Sequence, residues 1–171
     1  MKALDAVRTV LKFSDMGIKH LGEMSDAPLF RPGPWGGNHA MWIAGLLTVV
    51  EGRLHQMLHG TLNPVHHWKP LFDWGSEPTD DPADYPPFDE VVQKFKELRG
   101  QTHAFLDEFG EEGLDRPTKS QPPGFTGFET AGAAILIIAG HACGHLGGLN
   151  VVRNAAGKPR LFVPSAELRA F

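Results

Sequence analysis

The chain has little of what several protein classes require. Its single cysteine, Cys143, excludes an internal disulfide, and no basic-apolar-small signal opens the sequence, so a reducing cytoplasm is the expected compartment. No cluster of Lys and Arg occurs and the formal net charge is -4, so the concentrated positive charge that a nucleic-acid partner demands is missing. The longest uninterrupted apolar run, Ala133 to Ala139, is too short for a bilayer, and the expectation is a protein with no membrane partner. No nucleophile-elbow motif and no phosphate-cradling glycine loop occurs, and no segment alternates apolar and polar residues long enough for a central strand.

What is present is helical periodicity. Leu4, Val7, Leu11, Ile18 and Leu21 recur at helical steps, predicting a first helix over 3–22. His39, Ile43, Leu46, Val50, Leu54 and Met57 form one stripe of a second helix over 38–59, with Asn38 as its expected cap. Phe88, Val91, Phe95, Leu98, Thr102, Phe105 and Phe109 alternate steps of 3 and 4 and place a third helix over 88–109. Thr126 and Glu129 read as a capping box, starting a fourth helix that runs to 156 before Gly157 and Pro159. Between the second and third helices, residues 61–87 hold six prolines and five acidic residues, too many for a long helix. Trp68, Leu71, Phe72, Trp74 and Tyr85 give that connection enough apolar surface to pack as an ordered cover. The fold class expected over residues 1–171 is therefore a single all-α domain, a four-helix bundle with a long Pro-rich connection.

The chemistry concentrates in histidine. His141 and His145 stand four apart, on one face of the fourth helix, where both rings can converge on a point that suits a metal ion. Two solvated helix-surface rings are the plain alternative. His39 lies on the inward stripe of the second helix and is the candidate third ligand, against the alternative of a helix-terminal ring bonded to a loop carbonyl. His55 and His59 fall near a helix C-terminus, where the dipole favours a charged imidazole and a structural role. His20, His66, His67 and His103 read as surface residues, and Cys143 should point away from the histidine pair. Trp42 and the apolar tail Leu161-Phe162-Val163 suggest apolar surface in excess of a monomer's needs, hence a homodimer.

Three stretches, Asn38 to Leu47, Trp68 to Ser76 and His141 to Leu149, with the four-helix layout, resemble the DinB/YfiT-like superfamily over most of the chain. The resemblance implies a bundle that binds a divalent metal (Zn, Ni or Fe) through two histidines of the H-x-x-x-H, here His141 and His145, and one from the second helix. It also implies a thiol-dependent transferase or hydrolase, so a small-molecule substrate or a thiol is the expected partner. The family's second-helix histidine follows a Trp-x-x-Gly; after Trp42 and Gly45 this sequence has Leu46. Two readings follow: a metal held by His141, His145 and His39, a loop residue or water, or a metal-free bundle serving as a small-molecule binding or dimeric interaction module.

Overall fold

The computed structural model describes residues 1–33 and 37–161. Four long helices carry the fold: α1 (Ala3–Ile18), α2 (Ala40–His59), α4 (Phe88–Gly113) and α5 (Ala131–Ala155), with the one-turn α3 (Lys69–Phe72) in the connection after α2. No strand occurs among the described residues, where the only extended pairing is an isolated bridge between Pro117 and Thr130. α1 packs on α5, α5 on α2 and α2 on α4, so α5 lies between α1 and α2. Phe95, Leu98, Phe105, Ile135, Ile138 and Leu149 are all buried. Pro34, Trp35, Gly36 and the tail residues Phe162 and Val163 lie outside the described residues.

The helix ends depart from the periodic pattern where local hydrogen bonding overrides it. α1 stops at Ile18, and Leu21–Met24 forms a 3-10 turn. α2 is capped by His39 rather than Asn38: the His39 ring Nδ1 accepts the Trp42 amide at 3.1 Å. α4 kinks at Gly110, whose φ of 58° and ψ of -149° are open to glycine, and one further turn follows. α5 begins at Ala131, not near Thr126, because Thr130 caps it by accepting the Ala133 amide. The Glu129 carboxylate turns back to the Gly127 amide, and Thr118 bonds the Phe128 and Glu129 carbonyls, holding 127–129 outside the helix.

The connection from Gly60 to Pro87 is seated on α2 at its glycines. Phe72 is fully buried against Gly45, and a methyl group there would fall inside the Phe72 ring. Asn63 sits over Gly52, its amide donating to the Val49 carbonyl and its oxygen accepting the Val65 amide. Trp42, expected on an open surface, is buried and donates its indole N–H to Ser76 Oγ. Run length also undercounted α5: across its glycines and histidines it is long and apolar enough to cross a membrane, by length and composition only. Its inner face packs on α1 and α2 as a core helix does, while 39% of its most apolar window is buried.

Candidate functional site

α5 brings His141 and His145 together as their spacing requires. Their Nε2 atoms lie 3.2 Å apart, with ring centroids at 4.6 Å. His141 Nδ1 is buried with no hydrogen-bond partner. A bare lone pair costs less to strand than an N–H, so the neutral His141 ring carries its proton on Nε2 and donates it to His145 Nε2. Burial, then the neighbouring His145, then Arg53 push the His141 pKa down to about 4, and burial lowers that of His145. Near neutrality the pair is uncharged. A ring that takes a proton only near pH 4 is poorly matched to general-base work at pH 7.

Cavities open on both sides of the pair. His141 borders one of about 280 Å³ with Val50, Arg53, Trp74, Phe125 and Phe128 among its walls. His145 borders another of about 250 Å³ beside Ile43, Gly148 and Val151. The α2 position that falls at helical steps between Ile43 and Val50 is Leu46, buried at 2% exposure. The His141 cavity is roofed by two connections: Trp74 from the one after α2 meets Phe125 from the one before α5, ring centroids 4.5 Å apart. Arg53 reaches the same cavity and is anchored by Asp73, its Nη2 lying 2.7 and 2.6 Å from the two carboxylate oxygens. Burial raises the Asp73 pKa, but Arg53, the Trp74 amide and Lys69 outweigh it and hold the group ionised.

His39 is bonded as a helix-terminal ring, the arrangement set beside metal ligation as its alternative. Besides capping α2 through Nδ1, it donates Nε2–H to the Thr79 carbonyl at 2.8 Å, so both nitrogens are engaged. It is wholly buried, which lowers its pKa, and it ties the long connection to the start of α2. His55 has the structural role expected of it but not the charge: it is buried, donates Nε2–H to the Leu98 carbonyl of α4, and burial favours its neutral form over the charged one the helix dipole would prefer. His103 pairs with Asp15 at 2.8 Å and His20 with Glu23 at 2.6 Å. The Cys143 thiol is half-buried and its pKa is raised by burial, so it is no ready nucleophile.

The donor set does not fit a three-imidazole metal centre. α2 carries buried Leu46, not an imidazole, between Ile43 and Val50, and no group of three His, Cys, Asp or Glu that could hold a metal occurs among the described residues. His141 Nδ1 lacks the carbonyl or carboxylate partner that orients a ligand imidazole, and the nearby Arg53 guanidinium repels a cation.

Apolar periodicity alone did not mark two buried arginines. Arg99 lies 3.0 Å from Glu51, an ion pair without hydrogen-bond alignment, and donates to Ser14; Glu51 accepts from Thr102 Oγ1 at 2.6 Å. Arg153, 1% exposed, holds the end of α5 to the His20 and Pro159 carbonyls and to Glu23. A charged residue at a helical step from the apolar stripe is the sequence signal for each: Arg99 falls four after Phe95, its partner Glu51 three before Leu54, and Arg153 four after Leu149.

No curated protein matches the chain. The family model of the DinB superfamily matches residues 15–149, which takes in α2, α4, the histidine pair and both roofing loops; the chain belongs to the DinB superfamily.

Proposed function

We propose that the chain binds a small molecule with an apolar body in the cavity between α2 and α5, without a resident divalent metal. The observation that carries this is Leu46, buried on the α2 stripe between Ile43, which shares a cavity with His145, and Val50, which shares one with His141. An apolar ligand would pack on Trp74, Phe125 and Phe128 and present a polar group to Arg53 and His141. 2-Naphthol is the probe: it should bind saturably, and both Trp74→Ala and His141→Ala should weaken it about tenfold. Elemental analysis of purified protein should find no stoichiometric zinc, nickel or iron, and finding one overturns the reading. Leu46→His should create divalent-metal binding, visible by calorimetry, since a third imidazole would join two already placed.

One observation favours the other reading, a metal-dependent transferase or hydrolase acting with a thiol: the two Nε2 atoms converge to 3.2 Å, a spacing that two ligands of one ion can adopt. Under that reading His145→Ala abolishes metal binding by the native chain and leaves helicity intact.

The homodimer expected from the sequence is also a proposal, now on a different surface. Leu136, Ile137 and Val151 are exposed on α5, which carries no charged side chain before Arg153. That face suits a twofold contact with a second copy. Light scattering should give a dimer mass that Leu136→Glu halves; a monomer mass for the native chain at high micromolar concentration removes the proposal.

A further inference from the structure

At the far end of the bundle, where α2 ends and α5 begins, a cavity of about 270 Å³ shares no wall with those beside the histidine pair. Its apolar walls include Leu58, Phe105 and Phe109, and every ionisable residue that lines it is basic or imidazole: His59, Arg116 and Lys119. This stands out in a chain of net charge -4. Among the described residues, neither the Arg116 nor the Lys119 side chain has an ion pair or hydrogen bond, although Arg8, Arg31, Arg53, Arg99 and Arg153 all do.

The Arg116 guanidinium is held in place, and the backbone that carries both cations is fixed. Arg116 lies over the Phe109 ring, Cζ 3.7 Å from its centroid, a stacked pose that leaves the edge of the guanidinium fork open. Phe109 in turn packs on Phe105, centroids 4.8 Å apart, and His59 meets Phe105 edge-on. The backbone beneath is pinned: the Lys119 amide donates to the Met57 carbonyl at the end of α2, and the Arg116 carbonyl accepts the Ala131 amide at the start of α5. Gly60, at φ 76°, brings the α2 terminus so close to Lys119 that a side chain there would press on its Cβ.

We propose that this cavity is a binding site for an aromatic carboxylate. The planar Arg116 fork matches the two carboxylate oxygens, Lys119 adds a second positive charge, and the ligand ring lies against Leu58, Phe105 and Phe109. The requirement for both a charge and a flat apolar body sets the specificity, since a surface that only collects anions needs no aromatic wall.

Benzoate, benzyl alcohol and inorganic phosphate separate these requirements. In amide-resolved NMR titrations of the full chain, benzoate should saturate and move the signals of His59, Gly60, Arg116 and Lys119. Benzyl alcohol and inorganic phosphate should each bind about tenfold more weakly or worse, one lacking the charge and the other the ring. Arg116→Gln should weaken benzoate by about tenfold, and Lys119→Gln by less, while Lys94→Gln, on an exposed α4 site away from the cavity, leaves it unchanged. Arg116 and Lys119 are exposed, so the losses should come with an unchanged thermal melt for Lys119→Gln and a fall of no more than about 4 °C for Arg116→Gln, which gives up its stack on Phe109. Absence of saturable benzoate binding, equal binding of benzyl alcohol or phosphate, or an Arg116→Gln variant that binds normally would each overturn the proposal.

Discussion

The polar cluster around Glu51 and Arg99 and the one around His141 and His145 are built on opposite principles. Around Glu51 and Arg99 on the α2–α4 side, Thr102, His55 and Ser14 are bound to one another or to backbone, and all five side chains are buried. Around His141 and His145 on the α2–α5 side, the rings are half-buried, have only each other, and border cavities. Groups bonded into the core stabilise one packing of the helices, because removing any member strands the rest. Groups left with unused capacity beside a cavity contribute little to that packing and are free to meet a ligand.

The largest effect should come from breaking the first cluster. Glu51→Gln takes from buried Arg99 the nearer of its two carboxylates, leaving only Asp15 at 3.4 Å, and should cost about 3 kcal/mol in urea unfolding. A loss below about 1 kcal/mol would place the cluster in the same class as the histidine pair and dissolve the contrast.

Next comes the seat of the cover. Gly45→Ala pushes a methyl group into the Phe72 ring and should cost about 1–3 kcal/mol. Because Asp73 and Trp74 follow Phe72 directly, the variant should also loosen 2-naphthol binding; intact binding in a destabilised protein would show that the roof does not depend on this contact.

Acidification tests the histidines as a set. His39, His55, His141 and His145 all have folded pKa values below the unfolded 6.5, so the unfolded chain binds more protons in that window. Stability should be full above pH 6.5 and fall as the pH drops through the folded values, for His141 toward about 4. His141→Leu should flatten the slope between pH 6.5 and 4, measured by urea midpoints; an unchanged slope would mean that the pair titrates normally.

The smallest stability effect should belong to the pair itself. Replacing both His141 and His145 by Leu removes two polar rings together and should change stability by no more than about 1 kcal/mol, while 2-naphthol binding weakens about tenfold. A cost of several kcal/mol would move the pair into the structural class.

The sequence by itself determined the four long helices, their apolar stripes and the convergence of His141 with His145, because each depends on helical repeat alone. Helix ends were less legible: at Thr130 and His39, bonds to nearby amides and a loop carbonyl outcompeted the equally plausible Thr126 and Asn38. Leu46 was visible as a departure from the family pattern and as part of the stripe with Ile43 and Val50, but that Ile43 and Val50 share cavities with the α5 histidines could come only from helix packing. The same holds for His39 and His55, two imidazoles of unremarkable spacing whose partners, Thr79 and Leu98, lie 40 and 43 residues away. Arg99 and Arg116 carry the same charge in the sequence; one pairs inside the core and the other lies open over a phenyl ring. Local periodicity fixes which face a residue occupies, whereas the partner it meets there is decided by which helix, loop or cavity the tertiary fold lays against that face.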